Sequence, residues 1–138
     1  MPIVHATCVA LGPHGILIRG ESGSGKSDLA LRLMDDGAML VADDHVVIEA
    51  EAGALVAQPH ETLAGMIEVR GLGIVEVPFL PSVQLALTVT LVAGDAVPRM
   101  PEPDSITIAG VALPHLLLAP FEASAVAKLR TAVRAIVR

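Results

Sequence analysis

Eight consecutive residues fit the phosphate-binding loop pattern G-x-x-x-x-G-K-[ST] without a mismatch. They are Gly20, Glu21, Ser22, Gly23, Ser24, Gly25, Lys26 and Ser27. In such a loop the glycines let backbone N–H groups converge on phosphate oxygens, and the N-terminus of the next helix adds partial positive charge. The lysine of the pattern reaches the β- and γ-phosphates, and its serine hydroxyl binds Mg²⁺. The motif therefore predicts a nucleotide site.

The residues on either side of this loop favour the same interpretation. Residues 15–19 form a short apolar run that predicts a strand entering the loop. Residues 28–34 predict a helix leaving it, with Leu29 and Leu33 one turn apart. The alternative is a Gly/Ser surface linker that contains a lysine. We disfavour it because linkers are not normally bracketed by a strand and a helix.

The composition excludes several functional classes. The 138 residues suffice for one domain with a sizeable hydrophobic core. Because Trp and Tyr are absent and Phe occurs only twice, that core must be aliphatic. Few aromatic side chains are available to stack on bases. The formal net charge is −6 without a Lys/Arg cluster, which argues against nucleic acid as a partner. The single cysteine, Cys8, excludes an internal disulfide and predicts a reducing, cytoplasmic location.

Apolar residues make up 53% of the chain, which raises the question of a membrane partner. No uninterrupted apolar stretch approaches the ~18 residues that a spanning helix needs. The apolar run over 111–121 is broken by Pro114, His115 and Pro120. The N-terminus has no basic region followed by an apolar stretch, so it does not resemble a signal peptide. We expect no membrane partner, with part of the apolar surface buried between subunits.

Hydrophobic patterning predicts the remaining elements. In chain order they are a strand over 3–11, a turn over 12–15, a strand over 38–42, a hairpin from 46–49 and 55–57, a second hairpin from 67–69 and 74–77, a half-buried strand over 85–91, an exposed loop over 95–105 and a helix over 122–137. These elements indicate an α/β domain with more strands than a purely alternating fold would have. We expect one domain over residues 1–138.

Two aspartates, Asp43 and Asp44, directly follow the apolar run 38–42. An apolar strand that ends in Asp after the phosphate-loop helix has the form of a Walker B element, whose carboxylate lies near Mg²⁺ and the γ-phosphate. Adjacent aspartates allow one to face the metal while the other acts as base toward an incoming hydroxyl. An Asp-rich turn that ends a strand is the alternative. The nearby phosphate loop favours the functional interpretation.

Pattern alone leaves two interpretations open for residues 68–73. Arg70 is suited to phosphate and Glu68 to a metal, while the glycines at 71 and 73 permit close backbone approach. A hairpin turn with ordinary surface charges fits equally well. The five histidines show no metal-ligand spacing, which disfavours a transition-metal site. The chain contains no Asn, so the Asn-Lys-x-Asp guanine-recognition motif is excluded.

Three segments together resemble the bacterial HPr kinase/phosphorylase family. They are residues 20–27, residues 41–44 and residues 67–74, and the last of these resembles the signature of that family. The resemblance implies a P-loop kinase fold related to phosphoenolpyruvate carboxykinase, with a strand-rich mixed sheet. It also implies ATP- and Mg²⁺-dependent phosphorylation of a serine on the phosphocarrier protein HPr or a paralogue. Many members reverse the reaction by phosphorolysis, and they are commonly hexamers.

The resemblance also implies a role for individual residues. Lys26 would bind the β/γ-phosphates and Ser27 would ligate Mg²⁺. Asp43 would be the proton acceptor, Asp44 would lie beside it on the metal side, and Glu68 would be the second metal ligand. In addition, His5 falls at the active-site histidine of the family, and Arg99 falls loosely at an active-site arginine.

Two departures from the family pattern stand out. The resemblance covers only the C-terminal catalytic domain, which implies a short form, of the kind typical of alphaproteobacteria, without the N-terminal domain. The Pro-Val-Arg-Pro-Gly-Arg segment tied to phosphorolysis corresponds to residues 119–124, which contain no arginine and include Glu122. Since arginine forks suit a second anion site, we expect forward phosphorylation with little phosphorolysis.

Two other functions stay open at this point. The first is a small-molecule kinase on the same scaffold, although no sequence feature defines a pocket for a small substrate. The second is a non-catalytic ATP sensor that acts through subunit contacts, which would bind ATP without turnover dependent on Asp43.

Overall fold

The computed structural model describes residues 3–137. Its strands are β1 (Ile3–His5), β2 (Thr7–Leu11), β3 (His14–Arg19), β4 (Met39–Ala42), β5 (His45–Glu51), β6 (Ala54–Pro59), β7 (Met66–Val69), β8 (Gly73–Glu76), β9 (Val83–Leu91), β10 (Asp104–Ile108) and β11 (Val111–Leu118). Its helices are α1 (Lys26–Asp35) and α2 (Ala125–Ile136), and short 3₁₀ turns lie at Glu61–Leu63 and Gly94–Ala96.

The predicted strand–loop–helix–strand unit is β3, the glycine-rich loop, α1 and β4. Four of the six residues of β3 are buried, because the strand lies inside the sheet. Helix α1 turns Leu29, Ala30 and Leu33 inward. It ends before Gly37, whose φ of 105° is the left-handed conformation that closes a helix and that glycine adopts without strain.

Within residues 3–137, the main sheet has nine strands in the order β1-β5-β6-β9-β3-β2-β4, with β11 paired to β9 and β10 paired to β11. Strand β9 runs parallel to β3 and β11, and the other pairings in this sheet are antiparallel. Strands β7 and β8 form a separate hairpin. This strand-rich mixed sheet with two helices is the α/β arrangement that the sequence predicts.

The topology places the ends of several strands at one edge. Strands β3 and β4 both pair antiparallel to β2, so they point in the same direction. Their carboxyl ends therefore meet beside the N-terminus of α1, which is where ligands bind in α/β sheets. The glycine-rich loop after β3 and the aspartates after β4 are brought together in this way.

The core has two apolar layers, one on each face of β3. Ile16 and Ile18 pack in the layer that contains both helices, with Leu29 and Leu129 among its members. Leu17 faces the other layer, which also contains Val41, Ile48 and Leu55. Because β3 is covered on both faces, the loop that follows it starts from a rigid position.

Strand β9 is more buried than the predicted half-exposed strand. Thr88 is fully buried, and Ala86 and Thr90 are partly buried. The reason is that β3 and β11 flank the strand while apolar layers cover it, a situation that alternation in the sequence alone does not reveal. The Thr88 hydroxyl is satisfied by donating to the carbonyl oxygen of Pro114, at 3.0 Å.

Other differences from the predicted elements lie near the ends of the chain. The predicted strand over 3–11 is interrupted at Ala6, so that β1 pairs with β5 while β2 pairs with β3 and β4. The predicted loop over 95–105 ends in β10, and the β10–β11 hairpin was not predicted. Helix α2 is shorter than the predicted helix over 122–137, and Ile136 at its end is exposed. Among residues 3–137, no helix has both the length and the apolar character to cross a membrane.

Candidate functional site

The glycine-rich loop has a backbone that requires glycine at specific positions. Gly23 and Gly25 adopt φ values of 80° and 102°. A Cβ atom added to Gly25 would lie 2.8 Å from the Phe121 ring, and one added to Gly20 would lie 2.5 Å from the Ser24 hydroxyl. The loop is therefore tightly wound, and α1 begins directly after it at Lys26.

The Lys26 side chain folds back across the loop. Its ammonium group donates to the carbonyl oxygens of Gly20, at 2.9 Å, and Glu21, at 3.1 Å. The residue is only 8% exposed, and among residues 3–137 it forms no ion pair with a carboxylate. An ammonium held by neutral carbonyls at a helix N-terminus keeps its charge available for an anion.

Asp43 is a buried carboxylate that joins three elements. Its Oδ1 accepts from the Ser27 hydroxyl at 2.7 Å and from the Thr7 hydroxyl at 2.9 Å. Its Oδ2 accepts from the backbone N–H of Glu68 at 3.1 Å. The three bonds tie α1, β2 and β7 to one side chain, which is 7% exposed as a residue.

Asp44 differs from its neighbour in both backbone and exposure. Its φ is 70°, and the His45 N–H donates to the Asp43 carbonyl across it at 2.8 Å, in the hydrogen-bonding pattern of a γ-turn. Such a conformation is strained for a non-glycine residue, and strain of this kind clusters at functional sites. The turn directs the Asp44 carboxylate outward, so that more than half of its side chain is exposed.

Two histidines flank the Asp44 carboxylate. His5 Nε2 lies 2.5 Å from Oδ1, and His45 Nδ1 lies 3.1 Å from Oδ2. Pairing of β1 with β5 sets the histidines opposite each other, with ring centroids 6.2 Å apart. The His45 Nδ1 atom is close to Asp44 Oδ2 but does not form a hydrogen bond with it. Sequence reasoning missed His45, since only its position directly after the two aspartates distinguished it.

These groups line one cleft of about 450 Å³. Its lining residues are His5, Thr7, Ser22, Gly23, Gly25, Lys26, Ser27, Asp28, Leu31, Asp43, Asp44, Glu68, Val69, Arg70 and Phe121. The structure therefore brings together most of the predicted site residues. Gly20, Glu21 and Ser24 line a second cleft, described below, and Arg99, which is exposed in the loop between the 3₁₀ turn Gly94–Ala96 and β10, lines neither cleft.

The hairpin of β7 and β8 forms one wall of this cleft. The Glu68 side chain is exposed, while its backbone N–H binds Asp43. Arg70 is also exposed, and the structure gives it no ion pair within residues 3–137. The sequence left two interpretations open for residues 68–73, a surface turn and a set of charges for the site. The hairpin combines the two, because it is a surface turn that presents charged side chains to the cleft.

A second and wider cleft, of about 970 Å³, lies on the other side of the glycine-rich loop. His5 and Phe121 line both clefts, and Arg19, Ser24 and His115 line only this one. His115 Nδ1 is 2.8 Å from Asp104 Oδ2, and its Nε2 is 2.8 Å from the Thr90 hydroxyl. The hydrogen bond from His115 is the main cause that lowers the pKa of Asp104 below its usual range. No pattern in the sequence indicates this arrangement, because Thr90, Asp104 and His115 lie in three different strands.

The side chains beside the glycine-rich loop offer ligands for a divalent metal only in part. Among the residues the structure describes, no three His, Cys, Asp or Glu side chains cluster as a preformed metal site. The Ser27 hydroxyl and the Asp43 carboxylate do meet at 2.7 Å beside the loop. Mg²⁺ usually takes one or two protein ligands and completes its shell with phosphate oxygens and water. The donor set therefore fits Mg²⁺ delivered with a nucleotide, and not a dedicated protein cage.

Comparisons with known proteins point to one family. The family model described as HPr Serine kinase C-terminal domain matches residues 2–99. An HPr kinase/phosphorylase of Clostridium tetani is 49% identical over 77 residues, which is 56% of this chain and 25% of that protein. One of Streptococcus thermophilus is 45% identical over 75 residues, 54% of this chain and 24% of that protein. The matches thus span about a quarter of these relatives.

A solved structure matches nearly the whole chain. It is the Hpr(Ser) kinase/phosphatase from Coxiella burnetii, with a TM-score of 0.87 at 27% identity, and the match covers 98% of this chain and 95% of that one. The strand-rich mixed sheet therefore belongs to a known kinase fold, and the predicted fold class is confirmed.

Proposed function

Because the chain belongs to the HPr serine kinase C-terminal domain family, we propose that it is an ATP- and Mg²⁺-dependent kinase that phosphorylates a serine of HPr or a paralogue. The observation that carries this proposal is the meeting of Ser27 with Asp43, beside Lys26 and Asp44 in one cleft. Phosphoryl transfer needs phosphate positioning, charge neutralisation and a base near the acceptor hydroxyl, and this cleft offers groups suited to each.

The loop over residues 20–27 would hold the triphosphate. Its backbone and the N-terminus of α1 supply N–H donors, and Lys26 would turn its ammonium group toward the β- and γ-phosphates. Ser27, Asp43 and Glu68 would hold Mg²⁺. When bound, the ion neutralises charge that develops on the transferring phosphoryl group.

The geometry supports an exchange of the roles predicted for the two aspartates. We predicted Asp43 as proton acceptor and Asp44 on the metal side. Asp43, however, is only 7% exposed and already accepts from Ser27, Thr7 and Glu68, so little of its carboxylate is left for an incoming serine. Asp44 is exposed in the same cleft. We therefore assign the metal side to Asp43 and the general base to Asp44.

His5 would act through Asp44. At 2.5 Å from the carboxylate, the imidazole holds Asp44 in one orientation. A fixed base loses less entropy in reaching the acceptor hydroxyl than a mobile one. For Arg99 nothing in the geometry supports a catalytic part in this chain, and Arg70 is the arginine that lines the cleft.

The direction of the reaction is part of the proposal. Residues 119–124 contribute no arginine, and the nearby Arg32 is engaged with Asp28 and with the carbonyl of Pro120. Glu122 is paired with Lys128 at 2.7 Å, so its negative charge is partly balanced within the loop. The absence of a free arginine fork in this segment favours phosphorylation over phosphorolysis.

Transfer from labelled ATP to purified HPr, compared with a panel of small metabolites, tests this function. We expect Mg²⁺-dependent labelling of HPr and none of the metabolites. Labelling of a metabolite would instead support a small-molecule kinase. Tight ATP binding without any labelling, unchanged by substitution at Asp44, would support a nucleotide sensor. The hexameric state, the cytoplasmic location and the single domain over 1–138 stay predictions.

A further inference from the structure

Phe121 is an exposed aromatic side chain held against the glycine-rich loop. It is 73% exposed, although large apolar side chains usually turn into the core. Its Cζ, Cε1 and Cε2 atoms lie 2.8, 3.2 and 3.6 Å from the position that a Cβ atom on Gly25 would occupy. The ring therefore covers the loop immediately before Lys26.

The segment that carries this ring is fixed from both helices. The Arg32 guanidinium, on α1, donates to the Pro120 carbonyl oxygen and also pairs with Asp28. On the other side, Glu122 pairs with Lys128 of α2. Since the residues before and after Phe121 are both anchored, the ring is held above the loop by its neighbours.

The position of the ring suggests what it contacts when nucleotide is bound. Phe121 lines both clefts, and among the described lining residues it is the one phenyl group. It lies at Gly25, beside the ammonium-bearing Lys26, and thus at the phosphate end of the site. A phenyl ring has no hydrogen-bonding group, so it can neither bind the phosphate as a ligand nor hold a water molecule in position.

We infer that Phe121 shields the transferring phosphoryl group from water and so favours transfer to a protein hydroxyl over hydrolysis of ATP. This inference rests on the proposed function. In both reactions the bond between the γ-phosphorus and the β-bridging oxygen breaks and ADP leaves. In transfer, the serine oxygen forms the new bond to the γ-phosphorus and its proton passes to the base. In hydrolysis, a water oxygen forms that bond, and inorganic phosphate is released. Excluding water from such a site therefore suppresses hydrolysis.

A rival role for the ring is stacking on the adenine base. The two roles differ in what an aliphatic replacement does. Shielding needs only apolar bulk, so Phe121→Leu should preserve most of it. Stacking needs a π face, so the same replacement should weaken ATP binding about as much as removal of the side chain.

The test measures ADP formation from ATP and Mg²⁺ without HPr, ATP affinity by calorimetry, and phosphoserine formed per ADP when HPr is present. For Phe121→Ala we expect ADP formation without HPr to rise about fivefold or more, the phosphoserine yield per ADP to fall, and ATP affinity to change by less than about threefold. Phe121→Leu should lie near wild type. Met100→Ala, which removes an 86% exposed side chain that lines neither cleft, is the matched control and should not change these values.

Unchanged hydrolysis by Phe121→Ala would overturn the inference, and so would an equal loss of ATP affinity in both Phe121 variants. A side chain this exposed adds little to the core, so Phe121→Ala should melt near wild type. If it does not, Phe121→Gln takes its place, because Gln keeps side-chain bulk near Gly25 but replaces the apolar ring with a polar group, and it should raise hydrolysis in the same way. Failure of the proposed function looks different. In that case the wild-type protein itself would bind no ATP or would transfer no phosphate to HPr.

Discussion

At the scale of single residues, Asp43 and Asp44 are chemically identical neighbours in different environments. Asp43 continues the direction of β4 and meets hydroxyl groups from β2 and α1. Asp44 adopts a φ of 70°, which turns its carboxylate toward the open cleft and the two histidines. One backbone angle therefore separates a buried carboxylate, proposed for the metal side, from an exposed one, proposed as the base.

We predict that Asp44→Asn lowers the rate of phosphate transfer to HPr by roughly two or more orders of magnitude, because a general base is lost. Its affinity for ATP and Mg²⁺ should stay near wild type. Asp43→Asn is the matched control, and it should instead weaken Mg²⁺-dependent ATP binding and lower the melting temperature. Rapid-quench kinetics together with calorimetry measure both effects. If Asp43→Asn slows transfer while Asp44→Asn weakens Mg²⁺-dependent ATP binding, Asp43 would be the base and Asp44 the metal-side residue, as the sequence predicted.

The sequence was sufficient to find this aspartate pair and insufficient to divide its roles. The apolar run before Asp43 and the nearby phosphate loop identify the motif without any structure. The contact between Thr7 and Asp43 spans 36 residues of chain, and the contact between His5 and Asp44 spans 39. Tertiary contacts of this kind leave no local pattern.

At the scale of secondary structure elements, two hairpins share the same two-residue turn. Ala52-Gly53 joins β5 to β6, and Ala109-Gly110 joins β10 to β11. Both alanines have positive φ, at 51° and 48°. Alanine in the left-handed region is destabilising by about 1 kcal/mol, while Asn-Gly is the preferred pair for such turns.

We therefore predict that Ala52→Asn and Ala109→Asn each raise the melting temperature by about 2–4 °C, since each relieves up to about 1 kcal/mol of backbone strain. Ala127→Asn, at an exposed helical position, is the control and should lower it slightly because Asn disfavours helix. Differential scanning calorimetry gives all three values. A decrease for both turn variants would show that the positive φ of these alanines is not strained.

The β10–β11 hairpin should also respond to pH. Asp104 accepts from His115 and from the backbone of Ser105, and these bonds lower its pKa in the folded state. A lowered pKa means that the stabilisation is complete above the unfolded-state pKa and is lost as pH falls through the folded-state value. The melting temperature of wild type should exceed that of Asp104→Asn near neutral pH, and the two should converge in strong acid.

The control for this pH effect is Asp95→Asn, because Asp95 is exposed and forms no ion pair within residues 3–137. Its difference from wild type should vary little with pH. A constant difference between wild type and Asp104→Asn across the acid range would contradict the role given to His115.

The elements were predictable where a single local pattern decided them. The Ala52-Gly53 and residue 70–73 turns were found because glycine marked both hairpins. The β10–β11 pair was missed because Asp104 and Ser105 resemble a loop and Pro114 resembles a strand breaker. Pro114 is tolerated in β11 because pairing with β9 begins only at His115, so Pro114 lies where the strand pairs with β10 alone.

At the scale of the whole molecule, the glycine-rich loop separates two clefts that meet at His5 and Phe121. The first cleft contains the loop, the start of α1 and both aspartates, so it is the one suited to nucleotide. The second lies on the opposite side of the loop and shares His5 with the first, whereas Asp44 lines only the first cleft. Under the proposed function, the acceptor serine must therefore enter the first cleft to reach Asp44.

Kinase activity on HPr is tested most directly by mass spectrometry of HPr after incubation with ATP, Mg²⁺ and either the wild-type protein or Lys26→Ala. With the wild-type protein we expect one phosphate on a serine of HPr and ADP in equal amount. With the variant we expect no detectable phosphoserine, because the charge at the β/γ-phosphates is lost. Circular dichroism checks that the variant is folded. HPr that stays unmodified while ATP is bound, or phosphorylation by Lys26→Ala at the wild-type rate, would show that the proposed function is wrong.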